Sequence, residues 1–495
     1  MAFYGPSITV IGGGAAAACL VATLEHRTRT VQPGALRVIK ARGETWRGVA
    51  FPSDGPMMLA NVPVQDMSLA ADDPEHLPRW LRARGYGDRL DDRPETWYPP
   101  RALIGEYITH TADMAMERLA ERGWLVEIVY DRVASIDDAW TTRLALRTEL
   151  GRSIPADHAV LCVGAAESTD PYSLGNPPHY IAEPYPLQVS ARPVPAEDRI
   201  GVLGSGLTAV DVVVALHAQG HRGPITLVSR NGVLPAVRQP KTEATASALT
   251  IDRLERLAGP GESFGLDQLI ALVGEELAAH GHHLSEVEKE LDLAEPPAER
   301  LSRHLDGSGG ALPLLQKLIP EMGQDAWFLL RERDKRHVLD YYGRALFSLC
   351  CPMPPENAAM VLEKLHSSQL AVLAGVKDAS AASDGTFILK IGKTTVTVDW
   401  LVNAIGLKRG RIPTGAQPLA QSLLDGQGAR AHPLGGFSVE RTTSRLLTPR
   451  GPNPRLHALG DITVGAYLFT FGVPVLVMRA DRIIRDIYRN DHVSA

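Results

Sequence analysis

Cysteine is scarce in this chain: four residues, Cys19, Cys162, Cys350 and Cys351, in a sequence of 495. None stands in a C-x-x-C pair. A disulfide framework is therefore not expected, the expected compartment is reducing and cytoplasmic, and a dithiol relay lacks its two closely spaced thiols. A basic excess is also missing: 51 Lys and Arg stand against 57 Asp and Glu, a net charge of -6, so no nucleic-acid partner is expected. The one long apolar run, residues 8 to 24, follows MAFYGP rather than a basic segment and is interrupted by Gly12-Gly13-Gly14. That pattern reads as a strand turning into a helix, and no membrane or export role is expected. His280, His282 and His283 cluster without an H-E-x-x-H pattern or a cysteine partner, so no metal site is expected. The basic run RERDKRH at 331 to 337 reads as a solvated face.

What the chain does contain is two glycine-rich turns almost 200 residues apart. The first is Gly12-Gly13-Gly14-Ala15-Ala16-Ala17 within ITVIGGGAAAACLVATL; the second is Gly204-Ser205-Gly206-Leu207-Thr208-Ala209 within IGVLGSGLTAVDVVVAL. Each follows a short apolar strand and opens a helix rich in small residues. In the first, Gly12 permits the tight turn, Gly14 lets backbone approach a pyrophosphate, and Ala17 allows the helix to lie close to the sheet. The helix N-terminus offers free amides and partial positive charge to that anion. Gly204, Gly206 and Thr208 repeat the arrangement.

The strands that follow the two turns end differently. The first ends at Lys40, where an acid would serve the adenosine ribose. Either Glu44 reaches back, or backbone and water serve the ribose, or the cofactor is held weakly; a strand end placed a few residues early is the remaining reading. The second ends at Ser229-Arg230, which suits a 2'-phosphate and favours NADPH over NADH, the alternative being a plain surface arginine.

A chain of this length needs two or three lobes. Strands are expected at 7–11, 36–40, 125–131, 143–149 and 159–163, with helices over 14–25, 73–85 and 102–118. Residues 46 to 70 read as a long ordered loop, a frequent carrier of function. Seven prolines between 165 and 197 mark a crossing between lobes. The second unit has strands from Arg199 and at 225–229 around a helix over 207–218. Residues 245 to 365 read as a helical insertion, with Ser263 as a helix cap. Strands resume from 386, and a helix over 473–488 closes the chain. The fold class is α/β: two Rossmann-like dinucleotide-binding domains with parallel sheets and a helical insertion. The expected domains are 1–175 (first dinucleotide-binding domain), 176–400 (second dinucleotide-binding domain, insertion at 245–365) and 401–495 (return to the first domain).

The segments WRGVAFPSDGPMMLANVPVQDMSL (46–69), PPRALIGEYI (99–108), VLGSGLTAVD (202–211) and VNAIG (402–406) resemble the two-dinucleotide FAD/NAD(P)-binding flavoproteins, in the branch near the N-hydroxylating monooxygenases. The resemblance implies FAD on the first turn and the reducing nicotinamide, NADPH, on the second. It implies a flavin-wrapping loop carrying Arg47, Gly48, Val62 and Met67, with Asn61 and Gln65 nearest the isoalloxazine. Pro100, Arg101 and Tyr107 would support the same pocket. The strand ends at Gly164 and Gly406 would mark the paired crossovers. Gly460-Asp461, in HALGD, would close over the flavin. Arg344 and His432 are candidate pocket residues. The implied reaction is NADPH-driven reduction of FAD, then use of O2 to hydroxylate an amine nitrogen of a small amino acid or amine; a homo-oligomer is the default assembly. The alternatives are another flavin-dependent oxidoreductase or oxygenase, or a scaffold that kept the fold without turnover, for which Lys40 is the one argument.

Overall fold

A computed structural model describes residues 5–92, 96–137, 143–261, 263–406, 409–426 and 428–491. The chain builds the same unit twice. The first sheet has the strand order Arg445–Thr448, Gly451–Ala458, His158–Leu161, Ser7–Ile11, Ala35–Lys40, Leu125–Tyr130, all parallel except the outer Arg445–Thr448 pairing. The second runs Leu370–Ala374, Ile225–Ser229, Ile200–Leu203, Trp400–Asn403, Tyr180–Ile181, parallel throughout. Trp400–Asn403 thus stands in the second sheet, and the strands that rejoin the first are Arg445–Thr448 and Gly451–Ala458.

Each unit also carries a three-stranded antiparallel sheet at the corresponding place in its order: Val133–Asp137 with Leu144–Thr148 and Ser153–Ala156, and Val376–Ala381 with Phe387–Ile391 and Thr394–Val398. Sequence alone pointed to only part of each. Val133–Asp137 (VASID) and Val376–Ala381 (VKDASA) are short and carry polar residues, so pairing with a neighbour rather than intrinsic preference makes them strands.

Parallel strands covered on both faces are almost wholly buried, and Ser7–Ile11, His158–Leu161 and Ile200–Leu203 are buried at every position. The helix Ala15–Arg27 packs between Arg101–Glu121 and Val473–Asp491; its small residues Ala17, Ala18 and Cys19 are completely buried and allow the close approach. The first helix in the 73–85 region is shorter than expected, His76–Arg82.

The helical block, Ile251–Ala258 through Pro355–His366, has its own apolar centre, including Leu254, Phe264, Leu272, Leu314 and Trp327. It touches both units. Trp327 Nε1 donates to Gly465 O at 3.1 Å in the first, while Leu301 packs with Val210 and Val214 of the second. Ser263 does not cap a helix. The cap position of Leu266–Ala279 falls on Gly265, whose N–H donates to Gln268 Oε1 at 3.0 Å. The run at 331–337 is not a uniformly solvated face either: Lys335 is buried, donating to Phe328 O and Glu332 Oε1. A buried lysine held by a carbonyl and a carboxylate follows the rule that such a charge needs partners.

Candidate dinucleotide sites and the space between them

The two glycine turns are nearly identical. Gly12 N–H donates to Ile39 O at 2.8 Å, and Gly204 N–H to Val228 O at 2.7 Å. Gly12 and Gly204 have φ of 114° and 123°, a region that L side chains rarely adopt. A Cβ on Gly12 would stand 2.2 Å from Cys162 O; one on Gly204 would stand 2.4 Å from Ala404 O. The helices then begin from Gly14 (φ -92°, ψ -168°) and Gly206 (φ -88°, ψ -164°), with no side-chain cap and no acid in the first turn. Neither helix N-terminus is capped by a side chain, which leaves its first amides as the donor set a pyrophosphate requires.

Around the first turn, the missing acid is present four residues later than the usual place. Lys40 is buried: its stem lies beneath Gly13, where a Cβ would stand 2.6 Å from Lys40 Cδ, and its ammonium rests 4.6 Å from the centre of the Trp46 ring. Glu44 folds back, accepting from Ala41 N–H at 3.2 Å, and its Oε2 would be 3.1 Å from the same Cβ on Gly13. The lysine is turned away and a carboxylate stands at the turn. Gly48 (φ 58°) crosses in front of the helix; a Cβ on Gly14 would be 3.6 Å from its Cα. Arg47 lies along Gly105 and donates to Ser53 Oγ at 2.8 Å.

Gly460 (φ 90°) closes the same turn from the other side, 3.6 Å (measured from a built Cβ) from Ala16. Asp461 follows it, and its Oδ2 is buried with no hydrogen-bond partner. Burial pushes this carboxyl above its ordinary range, with Arg409 opposing the shift. Free amides at the helix, Glu44 at the turn and an unsatisfied buried Asp461 oxygen fit the polar chain of an FAD: phosphate acceptors meet donors, and sugar hydroxyls meet carboxylates. The raised value has a sign. Asp461 contributes most below its unfolded pKa of about 3.9 and costs stability as pH rises through the folded value. In flavin-free protein, Asp461→Asn is therefore expected to raise Tm at pH 8 by on the order of 2 °C, an advantage that fades towards about pH 4. A variant less stable than wild type at pH 8 would contradict this account of the residue.

At the second turn, Ser229 is not a free phosphate ligand. Its Oγ accepts from Gly232 N–H at 2.9 Å and lies 2.9 Å from Ser205 Oγ, which in turn donates to Val233 O at 2.8 Å. The hydroxyl ties the turn together. Arg230 is exposed and unpaired among the described residues. Arg344 stands beside Gly206, donating to Ser205 Oγ at 3.1 Å and Val233 O at 2.8 Å. It belongs to the second turn, not to a substrate pocket next to the first. Thr208, in the first turn of the helix Leu207–Ala218, is half-buried.

The long loop joins the units. Asp54 accepts from Leu187 N–H at 2.6 Å and Gln188 N–H at 2.9 Å, fastening it to the proline-rich crossing. Arg238 donates to Asn61 O at 3.1 Å, and Lys241 pairs with Asp66 at 3.0 Å. The helical block braces the strand of chain carrying these two cations: Gln239 N–H donates to Gln316 Oε1 at 2.9 Å and Gln316 Nε2 to Val237 O at 2.9 Å. Asn61 Oδ1 is buried and unpaired. Gln65 is apart from it, lining an outer groove between residues 65–74 and the C-terminal helix. Val62 packs against the first core and Met67 is buried within it, so Met67 is a core residue rather than a cofactor ligand. Gly164 (φ 79°) and Gly406 (φ 83°) end their strands with nothing within 4 Å of a built Cβ.

Arg101 is likewise not free to hold a cofactor. Its guanidinium meets Asp211 at 2.6 and 3.0 Å and Leu59 O at 2.9 Å, and Tyr185 OH joins the same carboxylate. Burial works against the charged guanidinium, and Asp211 beside it more than restores it, raising its pKa. The pair pins the helix Arg101–Glu121 of the first unit to Leu207–Ala218 of the second. Sequence reading noticed Arg101 but not Asp211, although a carboxylate inside the run AVDVVVAL announces that a buried partner must exist.

His432 joins its own loop to the helical block, its Nε2 lying 3.7 Å from Glu332 Oε1. Its Nδ1 accepts from Leu434 N–H at 3.1 Å, its ring lies against Gly465, and burial lowers its pKa. The clustered histidines pair with helix neighbours, His280 with Glu276 at 2.9 Å and His282 with Glu286 at 3.1 Å. Among the described residues no group of three or more His, Cys, Asp or Glu could hold a metal, and no helix is long and apolar enough to cross a membrane. The letters Gly-x-Ser-x-Gly occur at 261–265, where Phe264 makes only an isolated bridge with Leu330, without the strand of a nucleophile elbow.

Residues 9–166 match the family model described as FAD-NAD(P)-binding. No curated protein matches the chain by sequence. Solved structures match almost its whole length. Ornithine hydroxylase from Pseudomonas aeruginosa superimposes with a TM-score of 0.58 at 14% identity, covering 98% of this chain and 99% of that one. L-lysine 6-monooxygenase from Pseudomonas syringae gives 0.58 at 16%, covering 98% and 99%. A cadaverine monooxygenase from Erwinia amylovora, solved bound to FAD, gives 0.58 at 15%, covering 98% and 94%. At these identities the likeness is one of fold.

Proposed function

We propose that the chain is an FAD-dependent, NADPH-consuming monooxygenase that hydroxylates an amine nitrogen of a small amino acid or amine. The observation that carries this reading is the duplicated turn: two uncapped helix N-termini, built alike, on units locked together by Arg101 and Asp211. An electron path between two dinucleotides needs both. The three structural relatives act, by name, on ornithine, lysine and cadaverine, each of which carries a primary amine at the end of an alkyl chain.

A bound FAD would supply the redox and oxygen-transfer chemistry that no side chain here provides. The chain's own residues bind, orient and exclude. The amides after Gly12 and Gly204 would hold pyrophosphates, and Glu44 would accept from the adenosine ribose. Asp461 would accept from the polar chain of the flavin, and Arg344 adds charge at the second turn. Asn61 Oδ1, buried without a donor, is available to an N–H of the flavin or the substrate. Trp46 and Met67, themselves part of the long loop, are buried and would help to exclude water beside the first turn. The scaffold alternative rested on Lys40, and Glu44 at the turn removes its ground.

Purified protein supplied with NADPH, O2 and ornithine, lysine or short diamines is expected to be yellow, to oxidise NADPH, and to release a hydroxylamine from at least one amine. NADPH oxidation that yields only hydrogen peroxide with every amine would leave a flavin oxidase and end the N-hydroxylation reading. A colourless protein that takes up no FAD would end both.

A further inference from the structure

A cavity of about 480 Å³ lies in the first unit between the helices His76–Arg82 and Arg101–Glu121. Helical spacing builds both walls: His76, Arg79 and Trp80 share one face, and His110, Met114 and Arg118 another. Arg29 completes the lining, just past the C-terminal end of Ala15–Arg27. A helix of that length puts the cavity about 20 Å from the glycine turn at its other end. Neither dinucleotide turn contributes to it. A smaller cavity of about 90 Å³ shares Arg29, His76 and Arg118 and extends past Glu25 and His26.

The larger cavity is rich in donors. Its three arginines face one carboxylate, Asp73, which Arg79 already holds through both of its terminal nitrogens. Arg29 is 3.7 Å from Glu25, a carboxylate that Arg122 approaches more closely, at 3.3 Å. Arg118 has no ion-pair partner among the described residues. Burial lowers the pKa of His76; Asp73 opposes that shift, and Arg79 and Arg118 add to it, so these charges surround one imidazole. The ring is fixed by Tyr107 OH, 2.7 Å from His76 Nδ1 and accepting from Leu69 N–H at 2.9 Å. Trp80 is 8% exposed, and its Nε1 is buried with no acceptor. Its ring is engaged, by Arg84 at 3.7 Å from its centre and by Tyr107 edge-on at 5.4 Å. The indole N–H can only donate, and leaving a buried donor unpaired is unfavourable.

We propose that this cavity binds a phosphate monoester, its head between Arg29 and Arg118, with Trp80 Nε1 as a further donor and the organic part against Met114. Two arginines without a full partner balance two negative charges. A phosphate monoester carries about two at pH 7 and offers three acceptor oxygens, whereas a carboxylate brings one charge and two oxygens. Guanidinium forks match the oxygens of such a head in pairs.

The test is calorimetric titration of phenyl phosphate, with benzoate for comparison, into the full-length protein saturated with FAD and NADP+, so that the phosphate-binding turns are filled. Wild type is expected to bind phenyl phosphate with a Kd below about 1 mM, and benzoate at least about tenfold more weakly. Arg118→Gln, on an exposed helix position, is expected to weaken phenyl phosphate by about 10- to 100-fold while NADP+ affinity stays within about twofold. Met114→Glu is a second probe: its carboxylate lies one helical turn from Arg118, pairs with it, and is expected to cause the same loss. A wild-type Kd above about 1 mM, benzoate bound as tightly as phenyl phosphate, or undiminished binding in either variant would each overturn the proposal. Phenyl phosphate bound at the glycine turns would not respond to Arg118→Gln, so the variant locates the site even in protein that takes up no FAD.

Discussion

Arg101→Ala is expected to lower stability by about 3–5 kcal/mol, because it strands Asp211 as an uncompensated charge. The Asp211 side chain is 1% exposed and sits among Val210, Val212, Val213 and Val214. Tyr185 OH alone remains to it. The loss falls between the two units, so it is also expected to slow hydride transfer at saturating NADPH by letting one nucleotide turn move relative to the other. Denaturant unfolding measures the first effect and flavin reduction in stopped flow the second. The double variant Arg101→Met with Asp211→Leu is expected to recover much of the stability, since a well-packed apolar pair is often as good as a buried ion pair. Full recovery of the reduction rate as well would show that the pair contributes stability and nothing to alignment. An Arg101→Ala protein as stable as wild type would show that the latch is not what holds the units.

The second large effect is a separation of the two cofactors by a pair of matched substitutions. Gly12→Val and Gly204→Val each force a branched side chain into a left-handed backbone, and each drives a Cβ into a carbonyl oxygen, of Cys162 at 2.2 Å or of Ala404 at 2.4 Å. Backbone strain of this kind costs on the order of 1–3 kcal/mol before the clash is counted. The turn must shift, and the helix amides then no longer converge on an anion. Gly12→Val is expected to be purified without FAD. Gly204→Val is expected to keep FAD, to remain reducible by dithionite, and to lose reduction by NADPH by about 100-fold or more, a change of roughly 2.7 kcal/mol in the barrier. Absorbance at the flavin band after each reductant reads both. If Gly204→Val is reduced by NADPH at the wild-type rate, the second turn does not hold the electron donor.

The glycine turns were legible in sequence because a strand, a left-handed glycine and an uncapped helix start are all specified by neighbouring residues. The same holds for the doubly covered sheets, whose strands are almost unbroken apolar runs. The site is another matter. Glu44 was one of several readings for the missing acid, and only the fold of residues 40–44, with Lys40 turned onto Trp46, puts it at the turn. Ser229 looked like a ligand and is a brace for the turn. Met67 and Arg101 looked like parts of a flavin pocket; one is core and the other is half of an ion pair with a residue 110 positions away.

By itself, the sequence determined the local frame: where the chain must turn tightly, which helices begin without caps, and that two such units are present. Tertiary structure alone decided the partners. Arg101 with Asp211, Arg238 with Asn61, and Asp54 with Leu187 are contacts between segments with no sequence proximity. Backbone geometry is set by the two or three residues around each peptide, whereas a buried charge is satisfied by whatever the packing of distant elements brings within hydrogen-bond reach.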